Sequence, residues 1–316
     1  MKIMLVRDRN VLNNNWLAYF ANLLHERGHE VVIACDTYGK LGVSAPGHEL
    51  EPGVRLANVN GKTSSPLQNF WRRIRCKALP SWHLFDRLIK AEKPDVIICY
   101  FPVDLYNVTR FQHHNIPIVQ MVHGYPPMIL DKVLHKNPLS RAFCRQSFAR
   151  INTWQVLMNS YKKEIDPFFA PQNVVRIANP VKQYAENEMA DLSAEKKRII
   201  YVARIEKKTK RPHLLVEAFA KIAAEFPDWK VEIWGMRKYP EYEKEINDFI
   251  RAHNLTGQVT LMGYTEDVEG LYRRADIHAF PSASEGFSLA IADAMSIGLP
   301  HVGSVSYTHL RAHETL

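Results

Sequence analysis

Apolar runs separated by polar stretches give the first prediction. The run Lys2–Val6 predicts a buried strand, and the apolar residues after it recur every three or four positions until Gly28, which is typical of an amphipathic helix. The predicted inward face of this helix is Leu17, Phe20, Ala21 and Leu24. A second run, Glu30–Cys35, completes a β–α–β unit. Further apolar runs, which favour parallel strands buried on both faces, lie at Asp95–Cys99, Ile118–Val122 and Thr153–Met158.

A polar segment, residues 182–197, interrupts this pattern and is predicted to be a linker. After it the alternation restarts, with strands predicted at Arg198–Val202, Lys230–Trp234, Val259–Met262 and Ile277–Phe280. The helices between them are predicted at Leu214–Phe226, Tyr242–His253 and Val268–Arg274. The predicted inward face of the first of these helices is Leu215, Ala218, Phe219 and Ile222. This alternation predicts an α/β protein with two Rossmann-like doubly wound domains, residues 1–181 and 198–303, that face each other across a cleft.

The composition narrows the class of partner. Of the 316 residues, 41 are Lys or Arg and 33 are Asp or Glu, so the net charge is +8 and an anionic partner is expected. The sequence has no zinc-knuckle spacing, basic zipper or aromatic RNA-binding motif, which argues against nucleic acid as a partner. No apolar run is long enough to span a membrane. The four cysteines show no CxxC spacing, and Cys35 and Cys99 end apolar runs, so we expect reduced thiols and a cytoplasmic location.

The turn after the predicted strand Ile277–Phe280 carries the first candidate chemistry. Glu285 precedes a predicted helix, and Asp293 follows it by eight residues, about two helical turns along one face. The amides at the start of this helix offer an anion site and belong to Gly286, Phe287, Ser288 and Leu289. Two carboxylates beside a phosphate-binding helix suit a ligand with hydroxyls at both ends of a diphosphate. A helix-capping acid and a solvated helix acid would give the same spacing.

A basic cluster follows the predicted strand Arg198–Val202. It begins at Arg204 and continues with Lys207, Lys208, Lys210 and Arg211. Cations directly after a strand lie at the sheet edge where doubly wound folds bind ligands, and their hydrogen bonds to phosphate are charge-assisted. An exposed basic loop is the alternative, and it fits Lys207 and Lys208 best.

From about Arg198 to Val302 the chain resembles the family 4 glycosyltransferases of the GT-B fold. The family pattern L-G-x-x-x-D-V-x-x-x-Y-x-x-A-D-I, followed by P-S-x-x-E-G-F, is matched by Met262-Gly263, Asp267-Val268, Tyr272, Ala275-Asp276-Ile277 and Pro281-Ser282. The family element R-x-x-x-x-K-x-x-x-L-L is matched, with one extra residue between Arg and Lys, by Arg204, Lys210-Arg211 and Leu214-Leu215. The first half agrees more loosely, through Val122-His123-Gly124, Asn159-Ser160-Tyr161 and Ile177–Val181.

The resemblance implies a role for each candidate residue. Arg204 and Lys210 would neutralise the donor diphosphate as the leaving group departs. Glu285 would bind the hydroxyls of the donor sugar, Asp293 would bind the ribose, and His123 would face the sugar from the other domain. The residues that would present backbone amides to sugar and phosphate are Gly286, Phe287, Ser288 and Leu289, and Leu289 would also pack on the nucleoside. The donor would be a nucleotide-diphosphate sugar, the transfer would be retaining, and neither a metal nor another cofactor is expected.

Three features depart from the family pattern. Asp293 stands where the family usually has a second Glu and is one methylene shorter. The glycine-rich first loop is absent, and Arg7-Asp8-Arg9 and Asn13–Asn15 occupy its place, which leaves the acceptor open. Residues 304–316 have no family counterpart and resemble the in-frame translation of a sequencing adapter. We therefore expect a foreign tail, an incomplete second domain in a poorly soluble and weakly active fragment, and a native chain that continues past Gly303.

An aromatic and basic stretch bears on the acceptor. Trp71 is followed by four cations that suit an anionic membrane surface and a lipid-linked acceptor: Arg72, Arg73, Arg75 and Lys77. A surface helix packed by Trp71 is the alternative. Taken with the resemblance, the sequence predicts a cytoplasmic glycosyltransferase of cell-surface polysaccharide synthesis that is peripheral to the inner face of the cell membrane. A nucleotide-sugar epimerase of the same fold and a non-catalytic sugar-nucleotide-binding module are the alternative functions.

Overall fold

The computed structural model divides the chain into two compact units, Met1–Ala178 and Asn179–Leu316, which we call the first and second domains. The residues that the structure describes are 1–7, 15–35, 50–59, 65–68, 70–71, 82–109, 114–127, 130, 138–169, 173–193, 196–283, 285 and 287–304. The basic residues 72, 73, 75 and 77, Gly286 and the segment 305–316 lie outside them.

The first domain is built on a parallel sheet whose seven strands are ordered β3-β2-β1-β4-β5-β6-β7. The strands are β1 (Lys2–Arg7), β2 (Glu30–Cys35), β3 (Arg55–Asn58), β4 (Val96–Cys99), β5 (Ile118–Val122), β6 (Thr153–Val156) and β7 (Val174–Arg176). The helices are α1 (Asn15–Glu26), α2 (Trp82–Glu92), α3 (Pro102–Thr109), α4 (Pro138–Phe148) and α5 (Ser160–Phe169). Strands β1 and β2 are buried along nearly their whole length, as their continuous apolar sequences predict.

Helix α1 shows how local sequence sets one element of this domain. Leu17 and Ala21 of the predicted inward face are buried, as is Ala18, on the face that packs toward β2, whereas Phe20 and Leu24 are only partly buried. Gly28 ends the helix with a φ of +82°, and its N–H donates to the His25 carbonyl at 2.8 Å. Strands β3 and β7 escaped prediction because they are short and only partly buried, which leaves no continuous apolar run.

The second domain has a parallel sheet of five strands, ordered β10-β9-β8-β11-β12. The strands are β8 (Arg198–Val202), β9 (Lys230–Trp234), β10 (Val259–Gly263), β11 (Ile277–Phe280) and β12 (His301–Gly303). The helices are α6 (Pro212–Ala220), α7 (Pro240–Ala252), α8 (Val268–Arg273) and α9 (Leu289–Ser296). Tyr201 belongs to one buried cluster and its neighbour Ile200 to another, so this sheet carries a core on both faces. The predicted fold class of two Rossmann-like sheets is confirmed.

The segment 182–197, predicted as a linker, is hydrogen-bonded to the second domain along its described part. The Lys182 ammonium contacts both carboxylate oxygens of Glu269 at 2.8 and 3.0 Å. The Ala190 N–H donates to the Ile297 carbonyl at 2.8 Å, and Arg273 donates to the Glu188 carbonyl at 2.7 Å. These bonds make the segment a cover for α8 and α9.

Helix α6 is shorter than predicted, and its buried face is shifted. The helix was expected to reach Phe226 with Ala218 and Ile222 inward, yet it ends at Ala220 and both of those side chains are exposed. Its inward residues are Pro212, Val216 and Phe219. Beyond the helix the chain continues as turns. The Gln258 side-chain amide donates to the carbonyls of Ala223 and Phe226, so these carbonyls bond a side chain and not a helical N–H.

Two histidines face each other where β11 pairs with β12. His278 and His301 are direct neighbours in the strand register, and their Nδ1 atoms lie 3.1 Å apart. One ring must therefore donate and the other accept, which requires at least one neutral imidazole. Burial, and then the neighbouring His301, lowers the pKa of His278 to about 3. Burial also lowers the pKa of His301, to about 4.

We predict that this histidine pair makes the second domain sensitive to acid. The unfolded chain binds these protons near the ordinary pKa of 6.5, whereas the folded domain excludes them until about pH 4, so stability falls as the pH drops from 6.5 toward 4. His278 alone should account for a loss of about 2 kcal/mol at pH 5. Urea unfolding of a His278→Leu/His301→Val variant at pH 7.5 and pH 5 should show a much smaller loss. The exposed His253→Gln variant is the control, and an equal loss in all three proteins would contradict the prediction.

Candidate active site

Two loops meet at the carboxyl edge of the second sheet. One follows β8 and the other follows β11, and these strands are parallel neighbours. The Thr209 carbonyl of the first loop accepts the Ala283 N–H at 2.7 Å and lies 2.9 Å from the Ser282 hydroxyl of the second loop. The two loops thus form one hydrogen-bonded unit at the edge where parallel α/β sheets bind ligands.

The first loop is shaped by local sequence. Arg211 adopts a left-handed conformation with φ 47°, and its N–H donates to the Glu206 carbonyl at 2.8 Å, which closes the loop just before Pro212 starts α6. A Cβ at Gly235, directly after β9, would collide with the Ala203 carbonyl oxygen. Glycine there lets the backbones approach and fixes the start of the loop. Sequence reasoning missed Gly235, although a glycine at the end of a predicted strand is a usable signal.

Lys210 and Glu285 form a largely buried ion pair at this edge. The Lys210 ammonium contacts the Glu285 Oε1 atom, and the two side chains are only 16% and 13% exposed. The Ser282 hydroxyl lies 2.6 Å from the same Oε1, and the ammonium lies 5.1 Å from the centroid of the Phe280 ring. Ser282 had no predicted role beyond its place in the motif. Here it helps hold the carboxylate whose partner is Lys210.

Arg204 lies on the same loop but is far more open. Its side chain is 61% exposed, and its guanidinium is 3.8 Å from the Glu206 carboxylate, too long for a strong hydrogen bond. Lys207, by contrast, turns to α7 and contacts both oxygens of Glu245 at 2.6 and 2.8 Å. Arg204 therefore remains available to an anion, and Lys207 behaves as the surface residue that the sequence analysis expected.

Asp293 lies among residues other than those that surround the Lys210–Glu285 pair. It lies on α9 within electrostatic reach of Glu269 and the Tyr272 phenol, and Tyr184 hydrogen-bonds Glu269 beside it. Burial, and then the negative charge of Glu269, raises the pKa of Asp293 to about 6. Tyr184 comes from the segment 182–197, so the predicted linker supplies part of this environment.

The start of α9 is described in part. Ser288 is the N-terminal cap in an extended conformation and is buried, but its hydroxyl makes no capping hydrogen bond. Phe287 and Leu289 flank it and are partly buried, while Gly286 lies outside the described residues. The positive end of this helix thus lies next to the loop that carries Glu285.

The first domain presents its own candidate residue after β5. The ring of His123 stacks on Tyr100, with centroids 4.3 Å apart and planes 13° apart. Burial, and then the nearby Arg7 guanidinium, lowers the pKa of His123 to about 3, so the imidazole is neutral at physiological pH.

The described part of the chain was searched for metal-binding clusters and for membrane-spanning helices. There, no three or more His, Cys, Asp or Glu side chains are grouped so that they could hold a metal ion. Among those same residues, no helix combines the length and apolar character needed to cross a membrane.

Comparison with known protein families shows the family to which the chain belongs. The family described as Glycosyltransferase Family 4 matches residues 14–182, more than half of the chain, and the one described as Glycosyl transferases group 1 matches residues 185–312. The chain belongs to the family 4 glycosyltransferases. The second match extends into residues 304–316, the predicted foreign tail, and the origin of that segment stays a prediction.

Individual relatives of this glycosyltransferase are distant. An uncharacterised glycosyltransferase of Haemophilus influenzae is 31% identical over 134 residues, 42% of this chain and 36% of the relative. The N-acetyl-α-D-glucosaminyl L-malate synthase of Bacillus anthracis is 27% identical over 195 residues, 60% of this chain and 50% of the relative. The chain thus spans about half or less of the length of these curated relatives. The crystal structure of Anabaena HepE in complex with UDP-glucose superposes with a TM-score of 0.67 at 16% identity, covering 97% of this chain and 81% of that one, which shows a shared fold.

We predict that Asp293 lowers the stability of this glycosyltransferase at neutral pH. Its folded pKa of about 6 lies above the ordinary 3.8, so the folded state holds the proton longer, and stability from this group is lost as the pH rises from about 4 to 6. Asp293→Asn should raise the free energy of unfolding at pH 7.5 by at most about 3 kcal/mol, and by little at pH 4. Urea unfolding at both pH values measures this. Asp228→Asn, at an exposed site, is the control and should not stabilise; a destabilised Asp293→Asn protein would contradict the prediction.

Proposed function

We propose that this chain carries out the retaining, metal-independent transfer of a sugar from a nucleotide-diphosphate sugar to a glycan or lipid-linked acceptor in cell-surface polysaccharide synthesis. The observation that carries the proposal is the Lys210–Glu285 pair, held by Ser282 at the carboxyl edge of the second sheet with the open Arg204 on the same loop. A fixed ammonium, a fixed carboxylate and an accessible guanidinium suit a ligand that joins a diphosphate to sugar hydroxyls.

The two cations divide the work on the diphosphate. Lys210 has three donors, so it can keep its bond to Glu285 and still donate to a phosphate oxygen. The negative charge of Glu285 offsets the positive charge of Lys210. Arg204 therefore supplies positive charge on this loop that a phosphate can pair with. The N-terminal amides of α9, at residues 286–289, would complete the phosphate contacts.

The carboxylates take the hydroxyls at either end of the donor. Glu285 would accept hydrogen bonds from the sugar, because Lys210 and Ser282 fix its position beside the phosphate contacts. Asp293 would accept hydrogen bonds from the ribose hydroxyls. Its pKa is raised only to about 6, so a small number of favourable contacts with the ribose is enough to ionise it fully. Leu289 would pack on the nucleoside, and His123, neutral because of its low pKa, would face the donor sugar as a hydrogen-bonding group rather than as a cation.

The proposed reaction breaks the bond between the anomeric carbon and the diphosphate oxygen. The electron pair of that bond goes to the diphosphate, and the negative charge that develops there is stabilised by Lys210 and Arg204. The acceptor oxygen bonds to the anomeric carbon on the face that the diphosphate leaves, and the proton of the acceptor hydroxyl passes to the departing diphosphate oxygen. One structural relative supports this class of donor, since it was solved with UDP-glucose.

We predict that donor nucleotide binding depends on Lys210 and Arg204. Replacing either by Ala removes charge-assisted hydrogen bonds worth about 1.5–3 kcal/mol, so affinity for the nucleoside diphosphate should fall more than tenfold. Calorimetry with UDP and GDP, chosen by their protection of the chain against heat, measures the loss. Glu285→Gln should keep nucleotide binding but lose sugar transfer, which is followed by NMR of the product and of its anomeric configuration.

Lys207→Ala is the matched control, because Lys207 has the same charge on the same loop but pairs with Glu245. The assignment fails if Lys207→Ala weakens binding as much as Lys210→Ala, or if neither changes it. Formation of a sugar epimer without transfer would identify an epimerase. Nucleotide binding with no turnover by any acceptor preparation would identify a binding module.

We further propose that the chain works in the cytoplasm at the inner membrane face. Phe70 and Trp71 are 56% and 61% exposed, with ring centroids 5.7 Å apart, so these aromatics are open to a surface. The cations at positions 72, 73, 75 and 77 follow them. Binding to anionic vesicles should therefore be strong at low salt and fall several-fold with added salt or when Arg72, Arg73 and Arg75 are changed to Glu. Sedimentation that finds the chain in the supernatant at low salt would refute this.

A further inference from the structure

Glu206 lies on the loop after β8, two residues beyond Arg204, and it holds that loop at two points. Its backbone carbonyl accepts the Arg211 N–H at 2.8 Å, and its carboxylate Oε1 atom accepts the Thr209 hydroxyl at 3.2 Å. The Glu206 side chain is only 18% exposed. The loop therefore contains a fixed carboxylate, although the ligand proposed for this loop is itself an anion.

The other carboxylate oxygen of Glu206 faces Arg204. The Oε2 atom lies 3.8 Å from the Arg204 guanidinium, which is close enough for electrostatic attraction but too far for a strong hydrogen bond. The backbone of Arg204 is held, because its carbonyl accepts the Tyr201 hydroxyl at 3.1 Å, whereas its side chain is mostly exposed. In this pair the carboxylate is fixed, and the guanidinium can turn toward a ligand.

The neighbouring cations of the loop contact other acids. Lys210 contacts Glu285, and Lys207 contacts Glu245 on α7. Within the part of the chain that the structure describes, Glu206 is the acid in ion-pair contact with Arg204. A phosphate that binds Arg204 must therefore draw the guanidinium away from Glu206.

We propose that Glu206 competes with the ligand phosphate for the Arg204 guanidinium and thereby weakens the binding of the nucleoside diphosphate that each transfer releases. The proposal rests on the proposed function, in which Arg204 binds the diphosphate. It deepens that function, because Glu206 becomes a positioning residue that acts through Arg204 and needs no contact with the ligand.

Competition of this kind would act mainly on the product. In the donor the second phosphate is esterified to the sugar, whereas in the released nucleoside diphosphate that phosphate is free and can ionise once more. Cations that bind the donor therefore bind the product more tightly. The negative charge of Glu206 opposes the more highly charged product more strongly than the donor, which favours product release.

A double-mutant cycle tests the competition without any catalysis. Calorimetry at low salt measures the affinity for UDP or GDP, whichever protects the chain better against heat. Glu206→Gln removes the charge but keeps an acceptor for the Thr209 hydroxyl, so the dissociation constant should fall about threefold to fivefold, as for the loss of one competing ion pair. The same substitution in an Arg204→Ala background should give little or no gain. High salt should reduce the gain, because it screens the pair.

Glu245→Gln is the matched control, since it makes the same change of charge and releases Lys207 on the same loop. Its nucleotide affinity should equal that of the parent chain. The inference is overturned by unchanged or weaker binding in Glu206→Gln, by an equal gain in Glu245→Gln, or by a gain that persists in full without Arg204. Thermal unfolding confirms that each variant is folded, and Glu206→Met, uncharged and of similar length, takes the place of Glu206→Gln if that variant is not. Failure of the proposed function would appear instead as unchanged nucleotide affinity in Arg204→Ala alone, so the two failures are distinguishable.

Discussion

The backbone carbonyl of Thr209 joins the two loops on which the candidate active site depends. By accepting from Ala283 and lying beside the Ser282 hydroxyl, it fixes the loop after β8 to the loop after β11. Lys210 is the next residue along one loop, and Glu285 is two residues beyond Ala283 on the other. Their ion pair therefore needs little adjustment of the backbone, which reduces the entropy lost when a ligand orders the site.

The two domains place charge differently at equivalent sheet edges. In the second domain the main cation is paired with a carboxylate and largely buried, and an exposed Arg204 accompanies it. In the first domain a guanidinium rests on aromatic rings beside a neutral histidine. The ion pair fixes the position of Lys210 through its carboxylate partner, whereas the aromatic rings constrain the position of the Arg7 guanidinium.

Sequence patterns predicted the strands well because parallel strands buried on both faces need continuous apolar runs, as in β1, β2 and β8. They also identified Lys210 and Glu285, through the family resemblance. Their direct contact was not predictable, because the residues are 75 positions apart and meet only through the pairing of β8 with β11. The same holds for His278 and His301, whose contact depends on strand register. The surroundings of Asp293 were missed because Tyr184 comes from a polar segment without periodicity.

The strand order of the first domain also bears on how the chain is made. Strand β1 lies in the middle of its sheet, and its N–H at Lys2 bonds Asp95, 93 positions later. During synthesis β1 and β2 can pair early, but the other edge of β1 stays uncovered until β4 has left the ribosome. Since each domain is continuous in sequence, the first can then close before the second is complete. While the residues between β2 and β4 are being synthesised, the uncovered edge of β1 can associate with other strands. Chaperones that bind the nascent chain during this period would prevent such edge-to-edge association.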